Sequence, residues 1–320
     1  MKADVLRIGS RGSDLALWQA RWVESEVRTI APECRISLEV SRTKGDRILD
    51  SPLSAIGDRG LFTREIEEAL LDGRIDCAVH SLKDLPTELP DGLTLGAVCR
   101  REDVRDVFIP HPLNEVRTLL AQKQGSSVAT GSLRRRSQIL ARRPDLRIID
   151  IRGNLNTRMN KLRDSDWAGM MLACAGVRRL GWEENIGEII PADVILPAVG
   201  QGAIAVEIRA GDQLTASILA GLNDAATASA VEAERALLRT LEGGCQVPIG
   251  AYARPAGGGE RDVLLMDAMV ASLDGRKVVR GKTHGPASAP GEIGRALAET
   301  LIAGGAGAIL REIRSGAPAV

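Results

Sequence analysis

Two short stretches of this chain carry side chains that could do covalent or acid–base chemistry. The first reads LEGGCQVPIG at 241–250 and holds Cys245. A helical pattern precedes it, and the glycine pair and Pro248 would end that helix. A thiol on such a short loop can reach a large ligand, whereas a cysteine inside a strand packs as a small hydrophobe. Cys245 is therefore a candidate covalent anchor, and a buried or unreactive cysteine is the alternative.

The second stretch reads HSLKDLP at 80–86 and follows a strand that looks buried. In open α/β sheets, ligands bind outside the carboxyl ends of the strands. Asp84 beside Lys83 and Ser81 gives a carboxylate that could transfer a proton or hold a developing cation. The alternatives are a helix cap or surface ion pair for Asp84, a solvated Lys83 and a core residue for His80.

Arginines recur just beyond the ends of several predicted strands. Of the 42 basic residues, 35 are arginine, which binds carboxylates and phosphates through two parallel hydrogen bonds. Codon bias could explain this total, but it would not explain the placement after strands. The arginines so placed are Arg11, Arg134, Arg135, Arg152, Arg158 and Arg179. The sequence therefore predicts a site for an anionic ligand.

Composition excludes several classes of protein. With 320 residues and 44% hydrophobic content, the chain can form two or three globular domains. The 42 acidic residues balance the basic ones, which argues against a nucleic-acid binder. Its five cysteines form no C-x-x-C pair and its three histidines do not cluster, so we expect neither a metal site nor disulfides. No leader or membrane-spanning run is visible, so we expect a cytoplasmic protein that does not bind membranes.

The order of predicted strands and helices indicates an α/β fold. We expect two doubly wound domains with mixed sheets and a small α+β C-terminal domain with an antiparallel sheet. The predicted domains span residues 1–102 with 203–221, 103–202, and 222–320. A strand at 203–208 rejoins the first domain, and the charged segment 100–106 is predicted as the crossover between the first two. The small, polar stretch 48–58 is predicted as an exposed loop.

Three rival functions remain open on these residues. A non-catalytic anion-binding protein could share the two-domain design, although the Cys245 loop would then have no purpose. A pyridoxal-phosphate enzyme could use Lys83 for its Schiff base. A cysteine hydrolase could pair Cys245 with His80, but Lys83 and the arginines would then have no role.

Taken together, the motifs resemble those of the porphobilinogen deaminase (hydroxymethylbilane synthase) family over nearly the whole chain. They are GSRGS at 9–13, TKGD at 43–46, GLF at 60–62, HSLKDLP at 80–86, GSLRR at 131–135, RGN at 152–154, LPAVGQG at 196–202 and LEGGC at 241–245. The resemblance implies a transferase of tetrapyrrole (haem) biosynthesis. Such an enzyme joins four porphobilinogen molecules, with loss of ammonia, into the linear tetrapyrrole hydroxymethylbilane. It also implies a monomer whose first two domains are similar to periplasmic binding proteins.

The same resemblance implies a dipyrromethane cofactor, bound to Cys245 through a thioether, as the primer of the growing chain. Asp84 would be the catalytic carboxylate, and the loop 48–58 would cover the site. The implied cofactor-binding residues are Cys245, Lys83, Ser81, Thr130, Ser132, Arg134 and Arg135. The implied substrate-binding residues are Arg11, Ser13, Arg59, Phe62, Arg152, Arg158, Arg179 and Gln201. Arg59 stands where many members of the family have lysine.

Overall fold

The computed structural model describes most of the chain as two compact units. The described residues are 5–41, 63–241, 247–257 and 262–315. The units are Met1–Glu102 with Gly202–Ala228, and Asp103–Gln201 with Ser229–Val320. The division into three domains stays a prediction. The loop predicted at 48–58 and the TKGD motif at 43–46 lie outside the described residues.

Strands and helices alternate through most of the described residues. The strands are β1 (Leu6–Arg11), β2 (Ile36–Ser41), β3 (Cys77–Ser81), β4 (Leu93–Val98), β5 (Asp106–Pro110), β6 (Ser127–Ala129), β7 (Arg147–Ile149), β8 (Gly169–Ala173), β9 (Glu188–Ile190), β10 (Ile204–Arg209), β11 (Ile249–Pro255), β12 (Val263–Ala271) and β13 (Val278–Pro286). The α-helices are α1 (Asp14–Ile30), α2 (Arg64–Leu71), α3 (Leu133–Leu140), α4 (Leu155–Arg163), α5 (Cys174–Arg179), α6 (Gln213–Leu219), α7 (Ala225–Thr240), α8 (Pro290–Ala303) and α9 (Ala306–Arg314).

The first unit contains a five-stranded mixed sheet with the order β2-β1-β3-β10-β4. Strand β1 is parallel to β2 and β3, and β10 is antiparallel to β3 and β4. Helix α1 packs on this sheet and buries Ala20, Val23 and Val27 against Leu6 and Ile8 of β1. The carboxyl ends of β1 and β3 therefore lie at the same edge of the sheet.

Helix α1 begins directly after Ser13, which is its N-cap. Ser13 has an extended backbone (φ −75°, ψ 148°), and its hydroxyl accepts the backbone N–H of Ala16. Asp14 lies in the first turn and Arg28 in the last, where each charge interacts favourably with the helix dipole. The capped start fixes the direction in which the chain leaves Arg11 at the end of β1.

The second unit contains another five-stranded mixed sheet, with the order β7-β6-β8-β5-β9. Strand β6 is parallel to both β7 and β8, whereas β5 is antiparallel to β8 and β9. Each of the three parallel strands leads into a helix, namely α3 after β6, α4 after β7 and α5 after β8. The carboxyl ends of the three strands thus share one edge of this sheet, which is where ligands bind in folds of this kind.

The prediction for the charged segment 100–106 was wrong at its end. Residues 101–105 do form a connection without regular structure, but Asp106 begins β5 and is completely buried. A buried carboxylate is tolerated here because Arg134 and Arg135 lie 2.7 and 2.8 Å away. Strands β4 and β9 are further elements that the sequence pattern did not indicate.

A three-stranded antiparallel sheet, with the order β11-β12-β13, also belongs to the second unit. Alternate residues of β12, including Leu264 and Met266, pack against Leu237 of α7 and Leu297 of α8. Strand β13 runs without a break from Val278 to Pro286. Two mixed sheets and a separate antiparallel sheet covered by helices confirm the predicted α/β fold class.

Within the described parts of the chain, no single helix is long and apolar enough to cross a membrane. Helices α8 and α9 reach that length and composition only as a pair, and the pair is bent by 81°.

The contact between α7 and α8 depends on Gly294. A Cβ added at Gly294 would collide with the backbone of Ala233 and Leu237. We expect Gly294→Ala to lower the free energy of unfolding by about 1–3 kcal/mol, the usual cost of overpacking. Gly307 of α9 is the matched control, because its added Cβ would meet nothing closer than Arg311 Nη1 at 3.4 Å. Gly307→Ala should raise the free energy of unfolding by up to about 1 kcal/mol.

Urea unfolding of the two variants beside the unchanged chain measures both effects. Equal stabilities of the two variants would contradict this account of the α7–α8 contact.

Candidate active site

The first unit places the predicted catalytic segment at one edge of its sheet. Arg11 is the last residue of β1, and Ser13 caps the helix that follows. Ser81 is the last residue of β3, and a single 3-10 turn then carries Lys83 and Asp84. Because β1 and β3 are parallel neighbours, all five residues lie at or just after strand ends at the same edge of the sheet.

The side chains of this segment differ in their surroundings. The Ser81 hydroxyl lies 2.8 Å from Nε2 of Gln19, a buried residue of α1, so this hydroxyl is held in place. Lys83 is half-buried, and Asp84 is exposed. An exposed carboxylate that follows a rigid strand by three residues can meet a ligand without moving the sheet.

His80 lies in the interior of the first unit. It is 5% exposed, and its Nε2 lies 3.2 Å from Oε2 of Glu207 on the neighbouring strand β10. Glu207 is completely buried. His80 is therefore a core residue, which is the alternative that the sequence left open for it. His80 lacks the solvent access that the general base of a cysteine hydrolase would need.

A third titratable group, Glu67 of α2, is buried in the same region and is 6% exposed. Burial raises the pKa of Glu67, and the negative charge of Glu207 raises it further. Thr63, His80 and Arg64 lower the pKa of Glu67, but burial has the largest effect, so the pKa is raised overall. The folded chain therefore holds the Glu67 proton to a higher pH than the unfolded chain does.

This shift makes stability depend on pH in one direction. The contribution of Glu67 to stability is fully present below its unfolded pKa and is lost as the pH rises through its folded pKa. Glu67→Gln removes the ionisation, so we expect its melting temperature to exceed that of the unchanged chain at pH 8 by a few degrees. At about pH 4 the two melting temperatures should converge, because Glu67 is protonated in both states.

Glu68→Gln is the matched control, since Glu68 belongs to the same helix and is exposed in an ion pair with Arg64. Thermal unfolding from pH 4 to pH 8 checks the prediction. A constant difference between Glu67→Gln and the unchanged chain at every pH would show that Glu67 does not titrate in this way.

In the second unit, several residues that the sequence predicts to bind anions lie around the start of α3. The Ser132 hydroxyl caps this helix by accepting the N–H of Arg135, and Thr130 Oγ1 accepts the N–H of Ser132 at 3.2 Å. Thr130 is 3% exposed, and the arginines of the first turn, Arg134 and Arg135, are 4% and 5% exposed. The side chains of both arginines are therefore buried near the carboxyl end of β6.

The two guanidinium groups share one carboxylate. Arg134 donates from Nη1 to Asp106 Oδ2 at 2.7 Å and to the Leu196 carbonyl at 2.6 Å. Arg135 donates from Nη2 to Asp106 Oδ1 at 2.8 Å and from Nη1 to the Met171 carbonyl at 3.1 Å. Burial alone would raise the pKa of Asp106, but the two guanidinium charges hold it well below its usual range. Two positive charges and one negative charge thus leave the cluster with a positive excess.

The other predicted arginines follow the neighbouring strands. Arg152 comes after β7, and its Nη1 is buried without a hydrogen-bond partner among the described residues. Gly153 follows with φ 113°, a conformation that favours glycine, and its carbonyl accepts Nε of Arg158 at 2.8 Å. Asn154 caps α4, which carries Arg158. Arg179 ends α5, the helix after β8. Three adjacent parallel strands therefore deliver all of these arginines to one edge of the sheet.

Gln201 lies deeper than a substrate-binding prediction would suggest. Its side chain is 1% exposed, and its Nε2 donates to the Val104 carbonyl at 2.7 Å and to Asp106 Oδ1 at 2.8 Å. In this structure the amide nitrogen of Gln201 contacts the arginine cluster through Asp106.

Three predicted residues, Cys245, Arg59 and Phe62, lie outside the described parts of the chain. The structure describes the chain up to Leu241, which is buried directly after α7, and again from Val247.

Sequence reasoning missed four buried carboxyl residues, Glu67, Asp106, Glu207 and Glu234. A weak signal existed for Glu207, because it interrupts the apolar stretch AIAVEI at 203–208. A charge inside an apolar strand generally has a partner, since an unpaired buried charge is costly. Asp106 gave no such signal because it stands at the start of its strand, next to charged residues.

Two family models match the chain. The one described as "Porphobilinogen deaminase, dipyromethane cofactor binding domain" matches residues 6–217, and the one described as "Porphobilinogen deaminase, C-terminal domain" matches residues 228–303. The porphobilinogen deaminase of Desulfitobacterium hafniense is 52% identical over 310 residues, which cover 97% of this chain and 98% of that protein. That of Carboxydothermus hydrogenoformans is 50% identical and covers 98% of each chain.

Solved structures with similar folds include periplasmic binding proteins. The aliphatic sulphonate binding protein SsuA from Escherichia coli has a TM-score of 0.40 and 14% identity over 75% of this chain and 71% of its own. A Salmonella typhimurium periplasmic binding protein with high arginine specificity has a TM-score of 0.41 and 13% identity, over 71% of this chain and 94% of its own.

Arginines and an exposed carboxylate at the strand ends of two mixed sheets are the arrangement of an α/β enzyme that acts on an anionic substrate. The chain belongs to the porphobilinogen deaminase family. It is a transferase of tetrapyrrole biosynthesis, with the hydroxymethylbilane synthase activity of that family.

Proposed function

We propose that Cys245 carries the dipyrromethane cofactor through a thioether and that Asp84 is the catalytic carboxylate. The family model that covers residues 6–217 is named for dipyrromethane cofactor binding, which supports the presence of the group. Cys245 is the cysteine of the LEGGC motif, whereas Cys77, Cys99 and Cys174 are buried. A buried thiol is inert, so these three are poor candidates for the attachment.

The observation that carries the proposal is the positive excess of the arginine cluster. The Nε atoms of Arg134 and Arg135 are buried and have no hydrogen-bond partner among the described residues. Such unused donors beside an uncompensated charge suit a carboxylate. The acetate and propionate groups of a dipyrromethane are carboxylates, so the donor set fits this cofactor. Ser132 and Thr130, at the start of the same helix, would add hydroxyl contacts.

When bound, the cofactor supplies the pyrrole carbon to which substrate units are added. Asp84 would hold the positive charge that develops on the pyrrole nitrogen of porphobilinogen when ammonia leaves. The same carboxylate can accept the proton that the coupling carbon loses. Lys83, the neighbour of Asp84, would bind a carboxylate of the cofactor. Ser81 would donate a hydrogen bond to the cofactor.

The remaining residues would orient the substrate through its acetate and propionate groups. We assign this role to Arg11 and Ser13 in the first unit. The proposed substrate-binding residues of the second unit are Arg152, Arg158 and Arg179, and Gln201 would act indirectly, through its hydrogen bond to Asp106. Arg59 and Phe62 are proposed for the same role on the motif alone. We also propose a cytoplasmic monomer that binds neither membrane nor nucleic acid. The balanced charge of the chain supports the absence of nucleic-acid binding.

Removing the Asp84 carboxylate tests its role directly. Because Asp84 is exposed, we expect Asp84→Ala to fold normally and to lose at least about 100-fold in kcat, the usual loss for a general acid–base group. Asp91→Ala is the matched control, since Asp91 is an exposed carboxylate of the same unit. Initial rates and a melting curve for each variant decide the question. Near-normal turnover by Asp84→Ala would refute the assignment.

Intact mass spectrometry tests the attachment at Cys245. The protein as purified should carry a surplus equal to two porphobilinogens less two ammonias, and peptide mapping should locate it on Cys245. We expect Cys245→Ser to lack the surplus, because a hydroxyl is a poorer nucleophile than a thiolate. Cys34→Ser, which changes a half-buried cysteine of the first unit, should keep it. A surplus that persists in Cys245→Ser would place the attachment elsewhere.

A further inference from the structure

Asp106 is the point at which the arginine cluster is tied together. Its Oδ1 accepts hydrogen bonds from Arg134 Nη2 at 3.3 Å, Arg135 Nη2 at 2.8 Å and Gln201 Nε2 at 2.8 Å. Its Oδ2 accepts Arg134 Nη1 at 2.7 Å. The side chain is completely buried, so these contacts take the place of water. No other carboxylate among the described residues forms an ion pair with either arginine.

These contacts determine the orientation of both guanidinium groups. Arg134 is held by Asp106, through both Nη1 and Nη2, and by the Leu196 carbonyl, which accepts from Nη1 at 2.6 Å. Arg135 is held by Asp106 and by the Met171 carbonyl, at 3.1 Å. A guanidinium is planar, so two fixed contacts fix the plane and hence the direction of its remaining N–H groups. Those remaining groups include the Nε donors that find no partner within the described part of the chain.

We propose that Asp106 is a positioning residue that fixes Arg134 and Arg135 for binding ligand carboxylates. It neutralises one of the two buried positive charges and leaves one for the ligand. Full neutralisation would remove the attraction for an anion, whereas two uncompensated charges would be costly to bury. The inference rests on the proposed function, because it takes these two arginines as the cofactor-binding pair.

The alternative is that Asp106 only stabilises the fold. If the role of Asp106 were purely structural, its replacement would weaken ligand binding no more than any other substitution that destabilises this unit equally. Gly294→Ala provides that comparison, because it disturbs packing between α7 and α8 in the same unit without changing a charge.

The test follows uptake of the cofactor by apoprotein prepared in cells that cannot make porphobilinogen. The apoprotein is incubated with porphobilinogen well below its melting temperature, and the gain of the two-porphobilinogen mass is followed by intact mass spectrometry. We expect Asp106→Asn to gain the mass at least about tenfold more slowly than the unchanged chain, because misplaced charged groups commonly cost this much or more. Gly294→Ala should gain it at the unchanged rate.

A second readout uses protein that has taken up the cofactor. Asp106→Asn should lower kcat more than it raises the KM for porphobilinogen, because Arg134 and Arg135 orient the cofactor whereas other residues bind the substrate carboxylates. Uptake and kcat that match those of Gly294→Ala at similar melting temperatures would overturn the proposal.

Asp106→Glu keeps the negative charge but moves it by one methylene, and it serves if Asp106→Asn does not fold. Uptake slower than that of Gly294→Ala supports positioning, and equal uptake overturns it. Failure of the unchanged apoprotein to gain mass at Cys245 would instead overturn the proposed function, and this inference with it.

Discussion

One carboxylate buried between two guanidinium groups is the interaction on which much of the second unit depends. Asp106 belongs to β5, whereas Arg134 and Arg135 belong to α3, so the ion pairs join the sheet to the helix that follows β6. Breaking such a pair leaves an uncompensated buried charge, at a cost of several kcal/mol. Strand and helix must therefore pack in one arrangement, and that arrangement determines where the arginines point.

The same cluster also fixes the chain segment that follows β9. Both backbone polar groups of Leu196 pair with the Gln138 side chain, at 2.8 and 3.0 Å, and its carbonyl also accepts Arg134. Gly250 of β11 lies against Leu196, where a Cβ would be too close. A polar side chain thus replaces the partner strand that Leu196 lacks. The segment has no regular secondary structure, but these hydrogen bonds fix its position.

The sequence predicted the parts of the site that depend on local pattern. Turn residues, capping hydroxyls and arginines after strands are local signals, and Ser13, Ser132 and Arg134 lie where they placed them. The buried pairs could not be predicted in this way. Glu207 meets His80 only because β10 returns antiparallel to β3, in a register that sets Ala205 opposite His80. Such pairing joins segments far apart in the chain, and no local period records it.

Placement distinguishes the arginines that we propose to bind ligand from the many others in this chain. Arg7 and Arg143 form ion pairs with Asp76 and Asp145, at 2.7 and 2.6 Å, in partly exposed surroundings. Partly exposed pairs of this kind contribute little to stability, so the total number of arginines says little about function. Arg134 is different because it is buried, shares its carboxylate with a second guanidinium and stands at the carboxyl end of a parallel strand. A lysine there would keep the charge but would lose the second hydrogen bond to Asp106 and the fixed plane. The geometry of the site thus requires arginine for its shape as much as for its charge.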